Sequence, residues 1–232
     1  QMRTGKIIIF ISAAALVVML LLTCVSQAVF GNMNYFRKEF EKYNVTRNID
    51  MEMDDIMYVM DELMDYLHGD REDLEEIVTE VNGETRDFFT EREKTHMADC
   101  KVLFDGGFAI RKGAAVVFAA LTLLLVFKKK FSLRRFLKYA ALFSVIIAAA
   151  AGILAVAASI DFNGCFIVFH ELFFNNDLWI LDPAEDLIIN ILVEPFFADM
   201  ALKIALYCAA VLAVIVITGA GIYLSDKKRR NL

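Results

Sequence analysis

Four long apolar segments constrain this chain more than any other feature of its sequence. They cover residues 7–30, 108–127, 136–159 and 202–224, and hydrophobic residues make up 58% of the whole chain. A helix needs about 20 mostly apolar residues to cross the hydrocarbon core of a bilayer, and each segment approaches or reaches that length. The sequence therefore predicts an all-α integral membrane protein, a four-transmembrane-helix bundle.

The distribution of lysine and arginine predicts the orientation of these segments. In a four-span topology every basic cluster lies on one side, which the positive-inside rule identifies as the cytoplasm. We therefore expect cytoplasmic termini, a cytoplasmic basic loop at 128–135 and a cytoplasmic tail at 225–232. The acidic region 31–107 and the segment 160–201 then lie outside. The clusters are Arg3 with Lys6, the six basic residues of 128–138, and Lys227 to Arg230.

A cleaved signal peptide is an alternative interpretation of the first segment. Its start is basic, and Leu21–Cys24 faintly resembles a lipoprotein cleavage site. The apolar run is longer than the core of a typical signal peptide, and Thr23 fits poorly before the cysteine. We therefore favour a retained transmembrane helix, and we interpret Gln1, ahead of Met2, as a remnant of processing.

The acidic region 31–107 is predicted to be a small, mainly helical extracytoplasmic domain with a short β-hairpin. Asn82-Gly83 separates Ile77–Val81 from Glu84–Phe88, a pattern typical of a tight hairpin. Before it, an apolar stripe at helical spacing ends at Gly69, a helix stop signal. The stripe suits ordinary packing, and a flexible wall for acyl chains is the alternative. Its members are Met53, Ile56, Met57, Met60, Leu63, Met64 and Leu67.

A second helix is predicted to begin at the capping box Thr90–Glu93 and to continue into the second apolar segment. In a capping box the threonine hydroxyl and the glutamate carboxylate each accept a hydrogen bond from the other residue's backbone N–H. Glu93, His96, Asp99 and Cys100 then share one side of this helix, just outside the bilayer.

The segment 160–201 is apolar and aromatic, but polar residues and Pro183 interrupt it too often for a continuous span. Irregular backbone at membrane depth is tolerated only where protein or water satisfies its polar groups. We therefore expect an interfacial or re-entrant element, with Trp179 as an anchor at the bilayer surface. Its aromatic stripe at helical spacing consists of Phe162, Phe166, Phe169 and Phe173.

The chain has three histidines, all on the predicted outer side. His68 precedes Gly69 and suits the C-terminal end of a helix, where a cation interacts favourably with the helix dipole. His96 and His170 each lie beside carboxylates, which can fix an imidazole tautomer and stabilise its cation. Two facing imidazoles can take a proton from an attacking amine or hydroxyl and return one to a leaving alkoxide. Acyl transfer needs both steps.

Other interpretations of the same residues remain open. Each histidine can simply be hydrogen-bonded in a structural role, and His96, Asp99, His170 and Glu171 have a loose spacing that zinc could use. Outside the spans there is no Gly-x-Ser-x-Gly pattern, which disfavours a covalent acyl-enzyme on serine. The cysteines lack metal or redox spacing and suit small buried apolar positions. They are Cys24, Cys100, Cys165 and Cys208.

Two blocks of sequence carry a resemblance to a known family. The chain resembles the bacterial DUF1461 membrane proteins, which include lipoprotein intramolecular transacylases of Gram-positive bacteria. The resemblance covers nearly the whole chain, although Leu192–Pro195 departs from the Leu-Pro-Glu expected before the last span. The blocks comprise Phe89–Glu93 with His96–Lys101, and Phe169–Phe174 with Asn176, Trp179 and Leu181–Pro183.

The resemblance implies an acyltransferase. Its substrate would be a lipoprotein whose N-terminal cysteine carries a diacylglyceryl group, and the sn-2 acyl chain would move to the amine of that cysteine, giving the lyso-form. The family's catalytic histidine pair corresponds to His96 and His170. The implied supporting residues are Asp99, Lys101, Glu171, Asn176, Trp179 and Asp182.

The resemblance also indicates which cofactors and partners to expect. No cofactor and no metal are implied, since forming an amide from an ester is downhill. The partners are membrane lipids and the diacylated lipoprotein, without nucleic acid, and the oligomeric state is left open. A non-enzymatic membrane scaffold or sensor and a metal-dependent membrane hydrolase are the competing hypotheses.

Overall fold

A computed structural model describes residues 2–230, without the side chains of residues 2–4 and 230. Outside that description lie Gln1, interpreted from the sequence as a remnant of processing, the last two residues of the expected tail, and the side chains of Arg3 and Arg230. The helices are α1 Met2–Phe30, α2 Met33–Lys42, α3 Thr46–Ile49, α4 Met53–His68, α5 Glu91–Phe127, α6 Leu133–Ile160, α7 Phe162–Phe173, α8 Ile188–Ile191 and α9 Glu194–Arg230. The strands are β1 Val78–Val81 and β2 Glu84–Asp87.

Four of these helices, α1, α5, α6 and α9, are long and apolar enough to cross a membrane. In α5 the charged residues are concentrated between Glu91 and Asp105, so the apolar part of the helix lies after residue 108. Together with the two-stranded sheet, these helices confirm the predicted all-α membrane fold with a short hairpin.

The described residues form two compact units. The helix unit consists of residues 2–26, 107–157 and 203–230. Its core is an apolar cluster on all four long helices, and Ser12 and Thr122 add a hydroxyl pair at 2.8 Å. Gly219 on α9 lies against α6, where a Cβ would be 2.3 Å from the Cβ of Ala141 and 3.0 Å from the Leu137 carbonyl oxygen. Small residues therefore allow these two helices to approach closely.

The histidine unit consists of residues 27–106 and 158–202 and contains all three histidines. Its core includes Phe36 and Phe40 of α2, whose rings pack against Phe196 at 5.5 and 5.7 Å. The apolar stripe of α4 is buried at Ile56, Met60 and Leu63, in agreement with ordinary packing.

The local signals in the histidine unit produce the predicted elements. Gly69 ends α4 in the left-handed conformation, at φ 97°. The hairpin pairs Val78 with Asp87 and Val81 with Glu84, so Asn82 and Gly83 form its turn, both at positive φ. Asn and Gly tolerate positive φ better than other residues, which explains why this dipeptide marks the hairpin.

Candidate active site

The beginning of α5 is held by the predicted capping box. The Thr90 hydroxyl accepts from the Glu93 backbone N–H at 3.2 Å, and the Glu93 carboxylate accepts from the Thr90 N–H at 2.7 Å. The second carboxylate oxygen of Glu93 accepts from the Ile188 N–H at 2.6 Å, at the beginning of α8. Glu93 is fully buried, and burial raises the pKa of its carboxyl. This one side chain therefore joins the α5 N-terminus to the segment that follows α7.

His96 follows one turn later and is 5% exposed. Its Nε2 lies 3.7 Å from the Cys100 sulfur, whereas its Nδ1 is buried and has no hydrogen-bond partner among the described residues. Burial, with a smaller contribution from nearby His170, lowers the pKa of His96 to about 4. The ring is therefore a neutral imidazole at neutral pH.

His170 lies near the end of α7, a helix capped at its other end by Asp161, whose carboxylate accepts from the Gly164 N–H at 2.8 Å. The Nδ1 of His170 is 2.6 Å from the backbone carbonyl oxygen of Phe166. A carbonyl oxygen only accepts, so Nδ1 carries the proton and Nε2 of the neutral ring keeps its lone pair. The ring is 7% exposed, and burial lowers its pKa as well.

The two imidazoles lie side by side. Their centroids are 6.0 Å apart, with 34° between the ring planes. Phe174 packs against both rings, at 5.2 Å from His96 and 5.5 Å from His170. Trp179 lies 4.9 Å from His170, and Phe166 lies 4.3 Å from it. Residues 74 positions apart in the sequence thus share one aromatic enclosure.

The remaining expected site residues lie at different distances from this pair. Asp99 accepts a 2.8 Å hydrogen bond from Asn176, which joins α5 to the segment after α7. Lys101 instead donates to the Tyr66 carbonyl oxygen and lies over the Tyr66 ring. Glu171 is exposed and makes no hydrogen bond or ion pair within the described part of the chain. The structure thus brings Asp99, Asn176 and Trp179 to the site, but not Lys101 or Glu171.

Asp182 and Asp186 organise the turn between α7 and α8. The Asp182 carboxylate accepts a hydrogen bond from the Ala184 N–H. The backbone N–H of Asp182 donates to the Asp186 carboxylate at 2.9 Å. Asp186 is 2% exposed and also accepts from the Thr90 hydroxyl at 2.9 Å. Asp186 was not predicted from the sequence, because no local motif marks it and its contact with Thr90 joins residues that are distant in the chain.

The profile of the family described as "Lipoprotein intramolecular transacylase Lit" matches residues 10–197. This chain belongs to the Lit family. A comparison with the sequences of curated proteins returned no significant match.

Three solved structures of the membrane integral lipoprotein intramolecular transacylase Lit from Bacillus cereus share the fold. The first is 22% identical, with a TM-score of 0.79, covering 99% of this chain and 100% of that chain. The second carries a histidine-to-arginine substitution and is 22% identical, with a TM-score of 0.74. The match covers 100% of this chain and 96% of that chain. The third carries a histidine-to-alanine substitution and is 22% identical, with a TM-score of 0.74. The match covers 99% of this chain and 97% of that chain. The Lit-family chain is therefore a multi-pass membrane protein.

The side chains around the histidines of this Lit-family chain do not form a metal centre. No group of three or more His, Cys, Asp or Glu side chains among the described residues is arranged to hold a metal ion. Burial raises the pKa of the Cys100 thiol to about 12, so at neutral pH the thiol is protonated and a poor nucleophile. Two neutral imidazoles side by side are able to accept and donate protons in acid–base chemistry.

Proposed function

We propose that this chain is a lipoprotein intramolecular transacylase acting through His96 and His170. The reaction moves the sn-2 acyl chain of a diacylglyceryl-modified N-terminal cysteine to the amine of that cysteine. A new C–N bond forms, the ester C–O bond breaks, the amine loses a proton, and the glycerol oxygen gains one. The observation that carries this proposal is the pairing of two buried, neutral imidazoles.

His170 is the group we assign as the base. Its Nδ1–H is committed to the Phe166 carbonyl oxygen, so the lone pair on Nε2 is the one available to accept the amine proton. The backbone carbonyl also stabilises the imidazolium that forms, and in this respect it replaces the carboxylate expected from the sequence. An exposed Glu171 is not needed for this role.

His96 is assigned to the oxygen side of the reaction. An unpartnered buried polar atom costs about 1–3 kcal/mol, and a bound ester would supply the missing partner for Nδ1 of His96. With its pKa near 4, His96 is neutral and can donate one hydrogen bond to the ester oxygen, while the proton that the leaving glycerol oxygen gains is the one that His170 took from the amine. Neither step requires a cofactor.

Expression in a bacterial host that lacks this activity tests the assignment. Mass spectrometry of lipoprotein N-termini should show the lyso-form with the wild-type protein, and its loss by at least about 100-fold with His96→Ala or His170→Ala. His68→Ala is the matched control, because His68 belongs to the same unit but pairs with Asp70 at 2.6 Å. Undiminished lyso-form in either of the first two variants would refute the catalytic pair.

We also propose a topology with both termini in the cytoplasm. The spans are residues 7–30, 108–127, 136–159 and 202–224, with 31–107 and 160–201 outside and 128–135 and 225–232 inside, in the bacterial cell membrane. The charge distribution supports this, since 160–201 contains no Lys or Arg. Reporter fusions test it: alkaline phosphatase should be active when inserted near Gly83 and inactive at the C-terminus. The reverse pattern would overturn the topology.

The competing hypotheses predict different results in the same experiments. A scaffold or sensor would leave the lipoprotein mass spectra unchanged when the chain is expressed. A metal-dependent hydrolase would release free fatty acid and would be inhibited by a chelator. No arrangement within residues 2–230 favours a metal site, so the transacylase remains the proposal.

A further inference from the structure

The helix unit contains a cavity of about 340 Å³ with a strongly cationic lining. A volume in this range is typical of small-molecule sites, roughly 300–1,000 Å³. Lys6, Lys129, Lys130 and Arg135 provide four cations, and Ile9 and Phe131 provide apolar surface. No carboxylate lines the cavity.

The backbone around this cavity is well defined. Lys129 adopts a left-handed conformation at φ 53° immediately after α5. The N–H groups of Lys130 and Phe131 then both donate to the Leu125 carbonyl oxygen, at 2.8 and 3.1 Å. This closed turn fixes where the two lysines lie. Ile9, at 1% exposure, belongs both to the cavity lining and to the apolar core of the unit.

The four cations lack the carboxylate partners that their neighbours have. Asp226 is the one Asp or Glu of the helix unit, and it pairs with Arg134 and with Lys138. Lys6, Lys129, Lys130 and Arg135 form no ion pair within the described ranges of the chain. Four uncompensated positive charges around one cavity repel one another, and an anion would relieve that repulsion.

We propose that this cavity binds the phosphate headgroup of an anionic membrane lipid. Basic pockets between transmembrane helices are typical sites for such headgroups. The surroundings favour a lipid over a free phosphate, because large exposed apolar residues that suit acyl chains flank the cations in the sequence. Ile7 is 54% exposed, Phe127 82% and Leu133 59%.

Native mass spectrometry of the full chain, purified in detergent, tests the proposal with phosphatidylglycerol and phosphatidylcholine as probes. The wild type should retain phosphatidylglycerol in preference to phosphatidylcholine. Lys6→Gln with Arg135→Gln should weaken retention of phosphatidylglycerol about 25-fold, roughly five-fold per cation. Lys227→Gln with Lys228→Gln is the matched control, since it removes two exposed cations outside the cavity. It should change retention less than about two-fold.

Three results would overturn the proposal. The first is equal retention of the two lipids by the wild type, and the second is an equal loss in the cavity and control variants. The third is displacement of the lipid by millimolar glycerol phosphate, which would identify a free phosphate site. If the first variant does not fold, Lys129→Gln with Lys130→Gln removes two exposed cations from the same cavity and gives the same readout.

Discussion

The helix unit and the histidine unit have opposite charge and use different interactions. The helix unit contains 15 Lys and Arg with one Asp, whereas the histidine unit contains 9 Lys and Arg with 29 Asp and Glu. Among its described residues, the buried polar side chains of the helix unit are the hydroxyls of Ser12, Ser26 and Ser144. The buried carboxyl and imidazole side chains within the described residues all belong to the histidine unit: Glu93, His96, His170 and Asp186.

This difference shows that carboxyl and imidazole groups are buried in the histidine unit and not in the described part of the helix unit. Such a group is expensive to bury unless it has hydrogen-bond partners. Glu93 and Asp186 have them, and they hold the histidine-bearing segments together. Among the described residues the Nδ1 of His96 has no such partner, which is why we propose that it contacts the substrate. The helix unit avoids the problem through apolar packing and small residues.

The largest expected effect concerns Glu93. Glu93→Ala leaves the partly buried N–H of Thr90 and the buried N–H of Ile188 without an acceptor, at about 1–3 kcal/mol each. The free energy of unfolding, measured in detergent, should therefore fall by about 2–6 kcal/mol. Glu91→Ala is the control in the same turn, because its side chain is 88% exposed, and it should change stability by less than about 0.5 kcal/mol. Equal effects would contradict the linking role of Glu93.

The pH dependence of the free energy of unfolding should show that the pKa of His96 is lowered in the folded chain. Its pKa is about 4 in the folded chain against 6.5 for the ordinary group, so the unfolded chain binds more protons between these values. Stability is therefore lost as pH falls from 6.5 to 4, by about 2–3 kcal/mol from this group. Glu93, with its raised pKa, acts in the opposite sense, so the difference between wild type and His96→Phe isolates the histidine. Parallel stability curves for the two proteins would argue against a buried neutral His96.

Close packing in the helix unit should be sensitive at Gly219. A Cβ there would overlap the Cβ of Ala141, so Gly219→Ala should destabilise the chain by about 1–3 kcal/mol. Adding Ala141→Gly should recover part of that loss. Gly221→Ala, two residues away with nothing within 4 Å, is the control. Thermal unfolding in detergent measures all three, and a neutral Gly219→Ala would show that α6 and α9 are not tightly packed.

A charge exchange tests the hydrogen bond between Asp99 and Asn176. Asn176→Asp places two carboxylates together and should lower stability by about 1–3 kcal/mol, with reduced lyso-form production. Adding Asp99→Asn restores one donor and one acceptor, so the double variant should recover at least half of the loss. Additive losses in this double-mutant cycle would mean that the two side chains do not interact.

Local signals predicted much of the fold and part of the site. The capping box, Gly69 and Asn82-Gly83 each specify their own backbone conformation, so the sequence predicted α5, the end of α4 and the hairpin correctly. The position of His96 beside His170 depends on how distant segments pack, and no local pattern encodes that. For the same reason the Phe166 carbonyl and Asp186 were not foreseen: the first is a backbone group, and the second contacts Thr90, which is distant in sequence.

The smallest expected effect concerns the single carboxylate of the helix unit. Asp226→Asn removes the partner of Arg134 and Lys138, which are about 47% and 32% exposed, and partly exposed ion pairs contribute about 0–1 kcal/mol. Unfolding should therefore change little, whereas retention of phosphatidylglycerol should rise slightly as two more cations become available. Asp161→Ala is an informative contrast, because Asp161 caps α7 in the acidic histidine unit. Its loss should cost about 1 kcal/mol without changing lipid retention. If Asp226→Asn proved the more destabilising of the two, carboxylates would matter as much in the helix unit as in the histidine unit.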